Sequence, residues 1–298
     1  MALNKTLRPG LIQMRVLDLD QTLDFYTNIL GLNEVGRTED GRVMLKGYDE
    51  FDHHSVTLRL ADEAGLDYVA FKVDSPETLE SLKDATEAFG YPVDEVPANT
   101  NQPGFGKRYG FTICTGHRIE LYADVEKAEQ VPMTHNPHPW VEAPRGMRAQ
   151  RFDHCLLYGP NIAEAERYFT EVLGMFAPEV CNTPEGNRFA TWLTSGNKAH
   201  DIAFVEYEKP GKIHHMAFLL QDWNDIGNAA DFIGRYSLKR DVGPTRHAIT
   251  RGQTIYFWEP PATVLRPIAA DIRHIRTTQS VYGMYLRSEK DCSTMREN

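Results

Sequence analysis

The sequence predicts an α+β protein: two tandem domains, each made of strand–helix–strand units, followed by a C-terminal tail that breaks the pattern. Three observations predict this. Residues 8–32, RPGLIQMRVLDLDQTLDFYTNILGL, are repeated as residues 151–175, RFDHCLLYGPNIAEAERYFTEVLGM. Two further pairs of matching segments follow in the same order in both halves. A Pro- and His-rich stretch around residues 131–146 separates the halves, and proline there disfavours regular structure. The divisions read from this are a first domain over 1–132, a linker over 133–146, a second domain over 147–270 and an aberrant tail over 271–298.

Each repeat opens with a short apolar strand and a polar turn. An amphipathic helix follows, with apolar residues at helical spacing: Leu23, Tyr26 and Leu30 in the first copy, Ala165, Phe169 and Leu173 in the second. Both helices end in Leu-Gly, a stop signal with glycine just past the last turn. LDYVAFKV (66–73) and IHHMAFLL (213–220) read as matching strands rich in β-branched and aromatic residues. GFTICTGHRIELY (110–122) and GQTIYFWEPPATVLR (252–266) close the two halves.

Composition narrows the function. A chain of 298 residues that is 41% hydrophobic can fill the cores of two medium domains. Its net charge of −10 argues against a nucleic-acid partner. No apolar run approaches the roughly 20 residues of a membrane span, so no membrane partner is expected. The opening MALNKTLRPG lacks the apolar core of a signal peptide. Four scattered cysteines without CxxC spacing suit reduced thiols and a cytoplasmic location.

Histidines carry the chemistry. Among 11 in the chain, His154, His200, His214, His215 and His247 fall in strand-like segments of the second half. In the repeat, His154 aligns with Leu11 and His215 with Tyr68, so the scaffold recurs while these histidines do not. One lone strand histidine is most often a hydrogen-bonded core or surface residue. Two at matching strand positions in one half point instead to a metal site, since neutral imidazole suits iron, zinc, copper and nickel. Strand alternation turns Cys155 away from His154 and lets only one of His214 and His215 face inward. His215 begins the apolar series His215, Ala217, Leu219 and is the choice made here, with His214 as the alternative.

The segments RFDHCLLY, GNKAHDIAFVEY, GKIHHMAFLL and GPTRHAITRGQTIYFWEP resemble the type I extradiol ring-cleaving dioxygenases, in their catechol 2,3-dioxygenase branch. The resemblance runs in order over residues 5–260. It implies tandem vicinal-oxygen-chelate domains, each of paired βαβββ modules, with Fe(II) in the second. It implies His154 and His215 as metal ligands, His200 beside the oxygen site, and His247 with Tyr256 against the catechol oxygens. The implied partners are a catechol-type substrate and dioxygen, and the implied assembly is a homotetramer, which the altered tail puts in doubt. The implied product is a 2-hydroxymuconic semialdehyde.

After Tyr256 the chain departs from that pattern. The family runs on through an acidic residue, Pro, a small residue, Gly, Asn and Arg to the third ligand, a glutamate. Here Phe257-Trp258-Glu259-Pro260 is followed by Pro261-Ala262-Thr263-Val264-Leu265-Arg266, and the glutamate place falls on Arg266. A guanidinium cannot ligate a cation. The first half keeps Gly116-x-Arg118-x-Glu120 at the matching place. A reading-frame shift near Pro261 is the expected origin. Ala-Thr-Val-Leu-Arg-Pro, in one codon choice, reads Gly-Asn-Arg-Leu-Glu-Ala one frame over. The tail beyond shows neither helical nor strand period and is expected to pack badly. Glu259 and Asp271 are the acids nearest to hand as substitutes. Two other functions compete: a different metal-dependent vicinal oxygen chelate enzyme, and a non-catalytic phenol-binding module of this fold.

Overall fold

The computed structural model describes residues 6–128 and 144–259, together with the strands Pro267–Ile272 and Val281–Tyr285. The linker predicted over 133–146 lies almost wholly outside the described residues, as does most of the tail.

Four βαβββ modules build the chain. The first is β1 (Thr6–Val16), helix α1 (Leu19–Asp24), β2 (Asn33–Arg37), β3 (Val43–Lys46) and β4 (Val56–Leu60). The second is β5 (Gly65–Val73), α2 (Pro76–Phe89), β6 (Asp94–Val96), β7 (Arg108–Thr112) and β8 (Arg118–Tyr122). In each, the last strand returns to lie parallel to the first, β4 beside β1 and β8 beside β5. Antiparallel pairing of β1 with β5 joins the two modules into one eight-stranded sheet.

The second half repeats this plan. Its third module is β9 (Arg151–Gly159), α3 (Ile162–Glu171), β10 (Phe176–Asn182), β11 (Arg188–Thr194) and β12 (Ile202–Glu206). Its fourth is β13 (Lys212–Leu220), α4 (Trp223–Arg235), β14 (Arg240–Arg246), β15 (Gln253–Trp258) and β16 (Pro267–Ile272). β9 and β13 pair antiparallel at the centre of a sheet in which β17 (Val281–Tyr285) is added beside β10. The α+β class and tandem modules predicted above are therefore present. Two segments of the tail region form strands, β16 and β17, where no period was legible, and the boundary expected at residue 270 falls inside β16.

Local chemistry places the helices as expected. Asp18 caps α1 by accepting the Gln21 N–H at 2.9 Å, and the helix runs on into a π-helical turn over Phe25–Leu30. Gly31 and Gly174 follow with φ of 89° and 67°, the left-handed stop that Leu-Gly announced. Tyr26, Leu30, Ala165, Phe169 and Leu173 of the predicted stripes are buried. They pack across the halves. Tyr26 meets Phe218 edge-on at 6.3 Å, Phe25 lies 6.2 Å from Phe257, and Phe169 lies 5.8 Å from Phe71. Helices of each half thus fill space beside the other half's sheet, and one apolar core runs through both. The opposite face of the second sheet is left to surround a cavity.

Candidate active site

Four of the residues singled out above, His200, His215, His247 and Tyr256, line that cavity, and His154 lies against two of them. His154 on β9 and His215 on β13 are buried, with ring centroids 5.6 Å apart. His200, two residues before β12, brings its ring to 4.0 Å from His154. Tyr256 on β15 lies edge-on to His215 at 5.0 Å. His247, just past β14, shares a hydrogen bond of 2.9 Å between its Nε2 and the Tyr256 hydroxyl. The cavity holds about 360 Å³ and is walled by Leu156, Tyr158, Trp192, Val205, Val242 and Ile249, together with His200, His214, His215, His247 and Tyr256. Apolar walls with a few convergent polar groups are the usual make-up of a small-molecule site.

Burial sets the electrostatics. Desolvation, helped by the neighbouring histidines, pushes His200 and His215 well below the ordinary imidazole range, and burial lowers His214 to about 4. These rings are neutral near pH 7, the form that ligates a metal. Cys155 faces the apolar core, as alternation predicted, and burial pushes its thiol up, so it holds its proton.

Alternation fails at the other place it was used. The β9–β13 register slips between Ile213 and His215, a bulge that frees His214 from the strict two-residue period. His214 and His215 both line the cavity, with their Nδ1 atoms 2.7 Å apart. Choosing one inward histidine was therefore too strict, although His215 is the more deeply buried.

A metal is tested by the donors present. His215 Nε2 is buried without a hydrogen-bond partner, and it shares the site with a second buried imidazole, His154. That pair fits a divalent ion that takes nitrogen ligands. No group of three or more His, Cys, Asp or Glu suited to a metal occurs among the described residues, so Glu259, although buried, does not complete the set there. Arg266, the place of the missing glutamate, lies outside the described residues.

The backbone register addresses the third ligand. In the first half, Glu120 on β8 stands opposite Gly110 and Ala70. The corresponding place on β16, opposite Tyr256 and Ala217, belongs to Ala269. Alanine offers no donor atom. Ten residues separate Gly110 from Glu120, whereas thirteen separate Tyr256 from Ala269. The strand is regained three residues late.

The first half corrects one sequence inference. Its strand register matches Leu11 to His154 and Tyr68 to His215, as expected, but it also matches His54 to His200. That histidine is shared. The signal was in the repeat, since His54-Ser55-Val56 aligns with His200-Asp201-Ile202. Here the place of a metal is closed by hydrogen bonds. Gln102 accepts from Thr57 at 2.8 Å, shares a 2.6 Å bond with His54 Nε2, and donates to Gln13 at 2.7 Å and Tyr68 at 2.6 Å. Glu120 survives but is held by Arg108 at 2.8 Å. Among the described residues, the first half has Glu120 at this strand position without counterparts of His154 and His215, and the second half has those histidines with alanine at the position of Glu120.

Both halves of the chain resemble known proteins. Residues 66–126 match the catechol 2,3-dioxygenase-like N-terminal domain, and residues 151–263 match the glyoxalase/bleomycin resistance protein/dioxygenase superfamily. The chain is 43% identical over 255 residues to a metapyrocatechase of Pseudomonas sp. (strain CF600), covering 85% of this chain and 83% of that protein. It is 26% identical to a manganese-dependent 2,3-dihydroxybiphenyl 1,2-dioxygenase of Geobacillus genomosp. 3, covering 84% and 81%. Among solved structures, the 2,3-dioxygenase LapB from Pseudomonas sp. KL28 superposes with a TM-score of 0.88 at 40% identity, covering 95% of this chain and 98% of that one.

Proposed function

The chain belongs to the extradiol ring-cleaving dioxygenases, and on that premise we propose that it opens catechols beside the diol at the His154–His215 end of its second sheet. The reaction adds both atoms of dioxygen to the ring: catechol and O2 combine into 2-hydroxymuconic semialdehyde, with no other reactant. The observation that carries the reading is the convergence of His200, His247 and Tyr256 on the two buried imidazoles at an apolar cavity.

His154 and His215 would hold the metal, which we take to be Fe(II). When bound, the ion supplies electron transfer from the ring to dioxygen and a positive charge that favours the catecholate. The residues do the rest. Apolar walls exclude water and grip the ring faces. The Tyr256–His247 pair offers a hydroxyl that can donate to a catechol oxygen and an imidazole behind it that can take up or return the proton. His200, neutral and buried 4.0 Å from the His154 ring, can donate an N–H hydrogen bond to charge developing on the oxygen side, and can take up a proton released by the catechol and return it as the O–O bond breaks. We place the enzyme in the cytoplasm as a homo-oligomer, with residues 1–132 as the non-catalytic domain and 147–270 as the catalytic one.

Anaerobic loading with Fe(II), followed by catechol and air, tests the reading through the yellow semialdehyde. Turnover supports it. A specific observation favours a second reading: with Ala269 at the counterpart of Glu120, the two histidines and the cavity can bind a phenol without turning it over. Catechol binding by calorimetry with no product would select that reading. Manganese in place of iron is the other variable to load, since one relative carries manganese in its name.

A further inference from the structure

A buried charged cluster behind His154 has no task in the scheme above. His154 Nδ1 lies 2.9 Å from Asp153 Oδ2. The other carboxylate oxygen of Asp153 is 3.0 Å from Lys198 Nζ, which also donates to the Asp153 carbonyl and lies 3.0 Å from Asp201. Asp201 is anchored separately, accepting the Ser195 N–H at 2.7 Å and the Ser195 and Thr194 hydroxyls. Lys198 and Asp201 alone would make a satisfied buried pair. The second carboxylate is an added desolvation cost, and it is turned toward an imidazole.

An ionised carboxylate only accepts, so the 2.9 Å contact requires the proton of His154 on Nδ1 and leaves the Nε2 lone pair for a cation. The duplicated first half supplies a control. Leu11 stands where His154 does, and the residue before it, Gly10, stands where Asp153 does. Imidazole and carboxylate are absent together. His215 differs, since its Nδ1 meets the neutral ring of His214.

We propose that Asp153, clamped by Lys198, is a positioning residue for His154: it fixes the Nδ1–H tautomer and ring orientation and strengthens Nε2 as a donor to a divalent ion. The proposal rests on the metal-site reading of His154 and His215, and its test separates the two. Asp153→Asn removes the charge and leaves Lys198 paired with Asp201. Long-range ¹H–¹⁵N NMR of the metal-free protein reads the tautomer directly, and Co(II) titration reads affinity. The wild type is expected to show His154 as the Nδ1–H form. The variant is expected to lose that preference and to bind Co(II) about ten- to a hundredfold more weakly, with a thermal midpoint close to wild type. A wild-type His154 protonated on Nε2 would overturn the proposal, whether or not the variant folds. An unchanged tautomer and unchanged affinity in Asp153→Asn would overturn it as well. The expected tautomers without Co(II) binding by either protein would uphold the positioning role and sink the metal reading.

Discussion

At the scale of single residues, desolvation rather than charge pairing fixes the protonation of the cavity histidines. His200 and His215 are neutral because burial penalises imidazolium, and that state leaves a lone pair for a metal and a proton to move. In the proposed scheme Tyr256 contributes one atom to the chemistry, its hydroxyl oxygen, 2.9 Å from His247 Nε2. Tyr256→Phe keeps the ring that packs against His215 and removes only that atom. The expected outcome is a fall in kcat of about a hundredfold, in the range typical of lost proton-transfer groups, with unfolding unchanged. A loss in KM alone, with kcat preserved, would reassign the hydroxyl to binding.

Elements decide whether the site is complete. β16 pairs with β13 and β15 along its length, yet its register delivers Ala269 to the place that Glu120 occupies in the first half. On the proposed reading, any loss of the third ligand lies in which residue the strand carries, and the strand that would present it is still there. Ala269→Glu puts a glutamate on β16 at the position opposite Tyr256 and Ala217. The expected result is divalent-metal binding tighter by about tenfold or more, with semialdehyde formation gained or raised. Equal metal affinity before and after the change would mean that another group already serves as third ligand.

Across the whole molecule, the halves are tied by a shared core and by buried polar links. Phe25 of the first half is fully buried near Phe257 of the second. Phe25→Ala is expected to cost about 3–5 kcal/mol, read as a lower urea midpoint with a single transition. Two separate transitions would refute a common core. His117 makes a second tie, its Nε2 donating to the Lys212 carbonyl at 2.9 Å and its Nδ1 meeting the Thr115 hydroxyl at 2.8 Å. Burial lowers it from 6.5 to about 4. A depressed histidine leaves the native state binding fewer protons than the unfolded chain, so stability is full above pH 6.5 and falls as pH drops toward 4. His54, lowered to about 3 by burial, adds to the same trend. His117→Gln is expected to reduce the acid slope by up to about 1.4 kcal/mol per pH unit, measured as urea stability against pH.

The sequence by itself determined the modular plan, because a duplication leaves matching apolar periods and Leu-Gly stops at equal places in both halves. It also pointed to the site, since His154 and His215 break the repeat at strand positions whose neighbours are apolar. Tertiary structure decided what periodicity cannot carry. A bulge let His214 join His215 at the cavity, although strict alternation allows only one. Pairing across strands distant in the chain set Ala269, and not residue 266, opposite Tyr256. The Asp153–Lys198–Asp201 cluster arose where β9 meets the segment entering β12, a contact between residues some 45 positions apart in the chain. Register and long-range charge contacts are properties of the packed sheet, and a local pattern of residues holds no record of them.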